Sequence, residues 1–88
     1  MKIKKGFVIQ QVGGQWVAVA TGSAAVEFSG IVKLNDTAAL AWKSVEEGLS
    51  REQIVARVIE SYDVDEQQAG NDVDAFLQAL VQSGIASE

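Results

Sequence analysis

The first third of the chain contains short runs of apolar residues of the kinds that favour β-strands. Residues 7–12 and 15–21 are two such runs, rich in β-branched and aromatic side chains. Only Gly13 and Gly14 separate them, and a two-residue glycine loop favours the primed turns that join antiparallel strands. The pattern therefore predicts a β-hairpin. Both alternate sets of side chains in its second arm are largely apolar, so its buried face stays open.

Two shorter apolar runs follow the hairpin. Residues 31–34, which read Ile-Val-Lys-Leu, predict a third strand. Residues 26–28 precede them across Ser29 and Gly30, a candidate two-residue turn. Because residues 26–28 are so few, the pattern allows either a fourth strand or a loop that covers the core. The prediction is three antiparallel strands, with the fourth left open.

After residue 34 the apolar period changes from two to nearly four residues, which indicates helices. The first helix is predicted to begin at Asn35 or Asp36, either of which can cap it, and to end near Gly48. Its apolar positions are Leu40, Trp42 and Val45. This spacing predicts that Trp42 belongs to the core, whereas Trp16 fits either a core position or a stacking surface.

A second helix carries a stronger start signal. Ser50 with Gln53 three residues later has the pattern of a capping box, and Leu49 with Ile54 that of a hydrophobic staple. The residues predicted to form its buried stripe are Ile54, Val55, Val58, Ile59 and Tyr62.

A third helix is predicted to be the longest element. Asp65 followed by Gln68 repeats the capping pattern, and Ser83 with Gly84 ends the helix. Its apolar positions are Ala69, Val73, Phe76, Leu77 and Leu80. Only Asp63 and Val64 connect the second and third helices, as in helix-turn-helix units. The predicted fold class is α+β, with an N-terminal three-stranded antiparallel sheet followed by three helices.

The residue inventory excludes most catalytic chemistry. The 88 residues are enough for one domain, spanning 1–88, and they include no Cys and no His. The usual thiolate nucleophile and the usual general base are therefore absent. Asp72 and Asp74 are two apart on a predicted helix, so their carboxylates diverge instead of converging on one atom. We expect no catalysis, no bound metal and no cofactor.

Charge is divided unevenly along the chain, whose net charge is −5. Residues 1–43 contain five Lys against two acidic residues, whereas residues 44–88 contain two Arg against ten. The predicted last helix has no basic residue, so nucleic acid is not an expected partner. The chain has no signal-peptide pattern and no long apolar stretch, so we expect a cytoplasmic protein that does not enter a membrane.

Several motifs resemble those of PqqD-like proteins. Residues 28–38, which read FSGIVKLNDTA, resemble a pattern in which a strand ends in Leu-Asn, an acidic residue and Thr, and a helix with a Trp follows. The later positions that also look like the family are Tyr62-Asp63-Val64-Asp65, Asp72-Val73, Phe76-Leu77, Leu80 and Gly84-Ile85. Their order and spacing together are more specific than any one motif, and they cover nearly the whole chain.

The resemblance implies a winged helix-turn-helix-like recognition element, or peptide chaperone, for ribosomally synthesised and post-translationally modified peptides. In that family the leader of a precursor peptide adds as an antiparallel strand and lies against the third helix, and a separate enzyme, often a radical SAM protein, modifies the peptide. By position, the resemblance assigns strand pairing to Ile31, Val32, Lys33 and Leu34. It assigns the groove wall to Asp72, Val73, Phe76 and Leu77.

Two other functions are weighed against this one. A winged-helix transcription regulator is disfavoured by the acidic last helix, which DNA would repel. A structural subunit of a larger enzyme would need no peptide, so a pull-down with and without precursor peptide discriminates it.

Overall fold

The computed structural model describes residues 1–22, 24–27 and 31–88, without the side chains of residues 26 and 27. In chain order the elements are β1 (Lys2–Ile3), β2 (Phe7–Val12), β3 (Gln15–Ala20), α1 (Ala24–Glu27), β4 (Ile31–Leu34), α2 (Asp36–Glu46), α3 (Arg51–Ser61), α4 (Glu66–Gln82) and β5 (Ala86–Ser87). The α+β class, the antiparallel sheet of three strands and the three long helices are confirmed.

The main sheet has the order β2-β3-β4, and all its neighbours are antiparallel. The hairpin turn lies at Gly13 and Gly14, whose φ angles are 57° and 80°. Two consecutive positive φ angles are what a primed turn requires, and glycine adopts them without steric cost. The turn sets the pairing of Val12 with Gln15, and the register continues without a bulge to Phe7 opposite Ala20.

The three long helices begin where the capping patterns predict. Asn35 caps α2, accepting a hydrogen bond from the Ala38 N–H at 2.7 Å. Ser50 and Gln53 form the full capping box of α3, each side chain accepting a bond from the other's backbone N–H. These contacts satisfy N–H groups that no carbonyl inside the helix can reach.

The capping of α4 follows half of the predicted pattern. The Asp65 carboxylate accepts from the Gln68 N–H at 2.8 Å, as predicted. The Gln68 side chain turns the other way and donates from Nε2 to Oδ1 of Asp72, one helical turn on, at 3.0 Å.

Two sequence predictions need correction. Residues 24–27 form the short helix α1, so neither the strand nor the loop considered for residues 26 and 27 is correct. Residue 28 and the candidate turn at residues 29 and 30 lie outside the described residues. The Ile59 side chain is 39% exposed, since at 100° per residue it lies about a quarter turn from the centre of the stripe formed by Ile54, Val55 and Val58.

Two clusters of buried side chains form the core. One joins the sheet to the helices around Trp42, which is fully buried, as predicted. The other lies among α2, α3 and α4. Phe76 packs against both clusters. Trp16 lies at the border of the first cluster and is half-buried, with the Lys43 Nζ 4.0 Å above its ring.

The two ends of the chain meet in a second, two-stranded sheet. β1 pairs antiparallel with β5, and the Lys4 N–H donates to the Ile85 carbonyl at 2.9 Å. Ile3 from β1 packs against both core clusters. The sequence patterns do not predict this pairing, because it joins two short segments more than 80 residues apart.

Candidate functional site

The open edge of β4 is the first part of the site. Within the described residues β4 pairs only with β3, so its other side has no strand beside it. The register shows which backbone groups face outward. The Thr21 N–H donates to the Gly6 carbonyl, which makes these two residues a hydrogen-bonded pair one step beyond β2 and β3.

In an antiparallel ladder such pairs alternate with non-bonded pairs. Counting along β3, Val17 and Val19 direct their backbone groups to β2, whereas Trp16 and Ala18 direct theirs to β4. Their partners Leu34 and Val32 are therefore bonded to β3. The N–H and C=O groups of Ile31 and Lys33 point away from the sheet, on the side where no strand of the described residues pairs with β4.

The side chains of β4 alternate between the two faces of the sheet. Val32 and Leu34 lie on the face that carries the core, and Leu34 is buried in the first cluster. Ile31 and Lys33 lie on the opposite face, where the Ile31 side chain is 64% exposed. Val32 is still 49% exposed although it is on the core face. The helices therefore leave the start of β4 uncovered on that side.

A cleft at the end of β4 is the second part of the site. Asn35 follows Leu34 directly and lines this cleft of about 350 Å³, which lies between the start of α2 and the middle of α4. The residues that line it are Asn35, Thr37, Ala38, Ala41, Asp72, Val73, Ala75 and Phe76. The half-buried Phe76 supplies apolar surface and the exposed Asp72 supplies a carboxylate, whereas Val73 is fully buried.

Three of the four residues proposed for the groove wall thus line one cleft, namely Asp72, Val73 and Phe76. Leu77 does not line it. Leu77 instead lines depressions that it shares with Arg51 and Met1. At 100° per residue, the cleft residues of α4 span an arc that runs from Ala75 through Asp72 and Phe76 to Val73, and Leu77 lies outside this arc, beyond Val73.

The wall contributed by α2 was not predicted from the sequence. Its small residues Thr37, Ala38 and Ala41 lie opposite Ala75 of α4. An available signal was the clustering of Ala and Thr in α2, since short side chains leave space between packed helices. That signal is weak, because small residues also occur wherever helices pack closely.

Two ion pairs connect helices outside the cleft. Arg51 of α3 forms a two-bond contact with Asp74 of α4, and Arg57 forms one with Glu47 after α2. The hydrogen bonds from the arginines hold the pKa of both carboxyls below their usual values. These pairs tie helices together on the exposed surface, where such contacts contribute little stability.

The described residues contain no group of three or more acidic, His or Cys side chains that could hold a metal ion. None of the helices in that part of the chain combines the length and the apolar character needed to cross a membrane.

An α+β fold with an open strand edge beside a cleft between helices defines a class of domain that can accept an extended peptide. The sequence matches the profile of the family described as coenzyme PQQ synthesis protein D (PqqD) over residues 15–86. The chain therefore belongs to the PqqD family. This confirms the family predicted from the sequence motifs.

Two solved structures share the fold. One is a complex of TbiB1 with the TbiA(beta) leader peptide, with a TM-score of 0.75 and 23% sequence identity over 100% of both chains. The other is lasso peptide synthetase B1 complexed with the leader peptide, with a TM-score of 0.78 and 23% identity over 99% of this chain and 96% of that one. No curated protein matches the sequence significantly.

Proposed function

We propose that this protein, acting as one domain over residues 1–88, binds the leader region of a ribosomally made precursor peptide and presents it to a separate modifying enzyme. The leader adds as an antiparallel strand to β4 and lies against α4. The domain itself catalyses nothing and works in the cytoplasm, where precursor peptides are made.

One observation carries the proposal: the outward backbone groups of Ile31 and Lys33 lie on the strand that leads directly into the cleft. Strand addition uses such backbone groups for affinity, while alternate side chains enter pockets that give specificity. β2 is the other edge of the sheet, but no β2 residue lines that cleft. The β4 edge therefore combines outward backbone groups for strand addition with an adjacent cleft for a peptide side chain.

Family membership and the two solved relatives support the same function. Both relatives are leader-peptide complexes and share the fold over nearly their whole length. The family resemblance implies a radical SAM protein as the modifying enzyme, and we adopt that class as the proposed partner. A lasso peptide synthetase is the alternative that the solved relatives favour. Pull-downs with an enzyme of each class separate the two.

The decisive experiment is a titration with synthetic peptides that cover the N-terminal parts of short reading frames next to the gene. We expect one of them to bind with a calorimetric signal and to slow amide hydrogen exchange at Ile31 and Lys33. The amides of Val32 and Leu34, already bonded to β3, serve as internal controls and should change less. Binding that leaves the Ile31 and Lys33 amides unchanged would refute strand addition, and a lack of binding by every peptide would refute the function.

A further inference from the structure

The charge of the cleft suggests which leader side chain it accepts. Asp72 is the only charged residue among the described residues that line it. The Asp72 Oδ1 accepts one hydrogen bond from Gln68, and no Lys or Arg of the described chain forms an ion pair with it. The neighbouring Asp74 differs, because Arg51 neutralises it. Asp72 therefore places a carboxylate that has no ion-pair partner among the described residues in a cleft that also exposes apolar side chains.

The start of α2 contributes a smaller charge of opposite sign. A helix N-terminus carries about half a positive charge, and it lies at this cleft with Asn35 and Thr37. Asn35 already caps the Ala38 N–H, and Asp36 adds a full negative charge in the same turn. Asp36 does not line the cleft, but the full negative charge of Asp72 by itself exceeds the half positive charge of the helix terminus. The charge at the cleft therefore favours a cation over an anion.

The apolar walls of the cleft indicate which kind of leader side chain could carry this positive charge. Ala38, Ala75 and Phe76 are not fully buried and expose apolar surface in the cleft that also contains the carboxylate of Asp72. Lys and Arg side chains match such a surface, because their aliphatic stems pack on apolar groups while their charged ends reach a polar rim. The volume of about 350 Å³ is near the lower end of the range of small-molecule sites, about 300–1,000 Å³. It suits one long side chain.

We propose that the leader recognised by this protein carries a Lys or Arg whose stem lies in the cleft and whose charge pairs with Asp72. The inference rests on the proposed strand addition to β4. Peptide residues beside Val32 and Leu34 point to the core face, and the one beside Leu34 is next to the cleft. In an antiparallel peptide, the basic residue then comes two positions before an apolar residue that covers Val32.

The test uses a displayed library of random 12-residue peptides, selected separately on the wild-type protein and on two variants. Asp72→Asn removes the charge but keeps an oxygen that can accept from Gln68. Asp63→Asn makes the same chemical change in the connection between α3 and α4 and is the matched control. We expect the wild type and Asp63→Asn to enrich a basic residue two positions before an apolar one, and Asp72→Asn to lose that enrichment.

A titration of one selected peptide measures how much the pairing with Asp72 contributes to affinity. Replacing its basic residue with Leu should weaken binding to the wild type by about twofold to fivefold, and to Asp72→Asn by much less. The difference should shrink in high salt, because exposed charge pairs are screened. Circular dichroism of each variant verifies that it is folded.

The outcomes separate this inference from the proposed function. If selected peptides slow amide exchange at Lys33 but show no basic preference, or the same preference on Asp72→Asn, the charge inference is wrong and strand addition stands. If no peptide is selected, or if selected peptides leave the β4 amides unchanged, the proposed function fails and the charge inference fails with it.

Discussion

Proline substitutions in β4 distinguish backbone groups that hold the sheet from those that are free for a peptide. Val32 donates its N–H to β3, whereas Lys33, one residue later, directs its N–H to solvent, as the register requires. Proline has no N–H, so the same substitution at these two neighbours removes two different bonds. Val32 is in a strand, which is the extended conformation that a residue preceding proline needs.

The expected magnitudes follow from the bond that each variant loses. Val32→Pro leaves a β3 carbonyl without its donor, at a cost of about 1–3 kcal/mol. In a domain of this size this lowers the melting temperature by roughly 4–8 °C per kcal/mol. Lys33→Pro loses no bond within the sheet, so its melting temperature should stay close to that of the wild type.

Peptide affinity should show the opposite order. Lys33→Pro deprives the bound peptide of one backbone donor, and about 1–3 kcal/mol corresponds to a loss of about 5- to 150-fold in affinity. Lys33→Ala is the matched control, because it removes the same side chain and charge but keeps the N–H. Its affinity should fall by no more than about fivefold, the range of an exposed charge contact.

Thermal melts and calorimetric titrations with a bound leader peptide measure both quantities. The reasoning is refuted if Lys33→Pro is folded and binds as tightly as Lys33→Ala. It is equally refuted if Val32→Pro melts like the wild type, since the register would then be shifted by one residue.

Two further predictions concern stability. Trp42→Ala should lower the free energy of unfolding by about 3–5 kcal/mol, because it empties the centre of the first cluster. Trp42→Phe should lower it by less, since the Trp42 Nε1 has no acceptor among the described residues. Urea unfolding measures both, and an unchanged midpoint for Trp42→Ala would contradict the core assignment. Because Arg57 lowers the pKa of Glu47 in the folded state, the pair contributes stability that is present above the usual pKa of Glu47, 4.5, and is lost as the pH falls further. Glu47→Gln should therefore reduce the pH dependence of unfolding below pH 4.5, whereas an identical pH profile would show that the pair contributes nothing.

Local patterns in the sequence were sufficient for the main elements. A turn such as Gly13-Gly14 and a cap such as Ser50 with Gln53 act between residues a few positions apart, so their geometry can be read directly from the chain. The burial of Trp42 also follows from spacing, since its helix must bury its apolar face. The order of the motifs also indicated the family. The resemblance to that family then assigned the strand and the helix proposed for binding.

Only the tertiary structure decided what lies beside each element. The outward direction of the Lys33 N–H depends on register, because a shift by one residue would reverse it. The cleft depends on how α2 packs on α4, and the same packing places Phe76 in it and Leu77 elsewhere. Periodicity fixes which residues share a face but not which segment that face meets. The open edge of β4 and its cleft are therefore properties of the assembled fold.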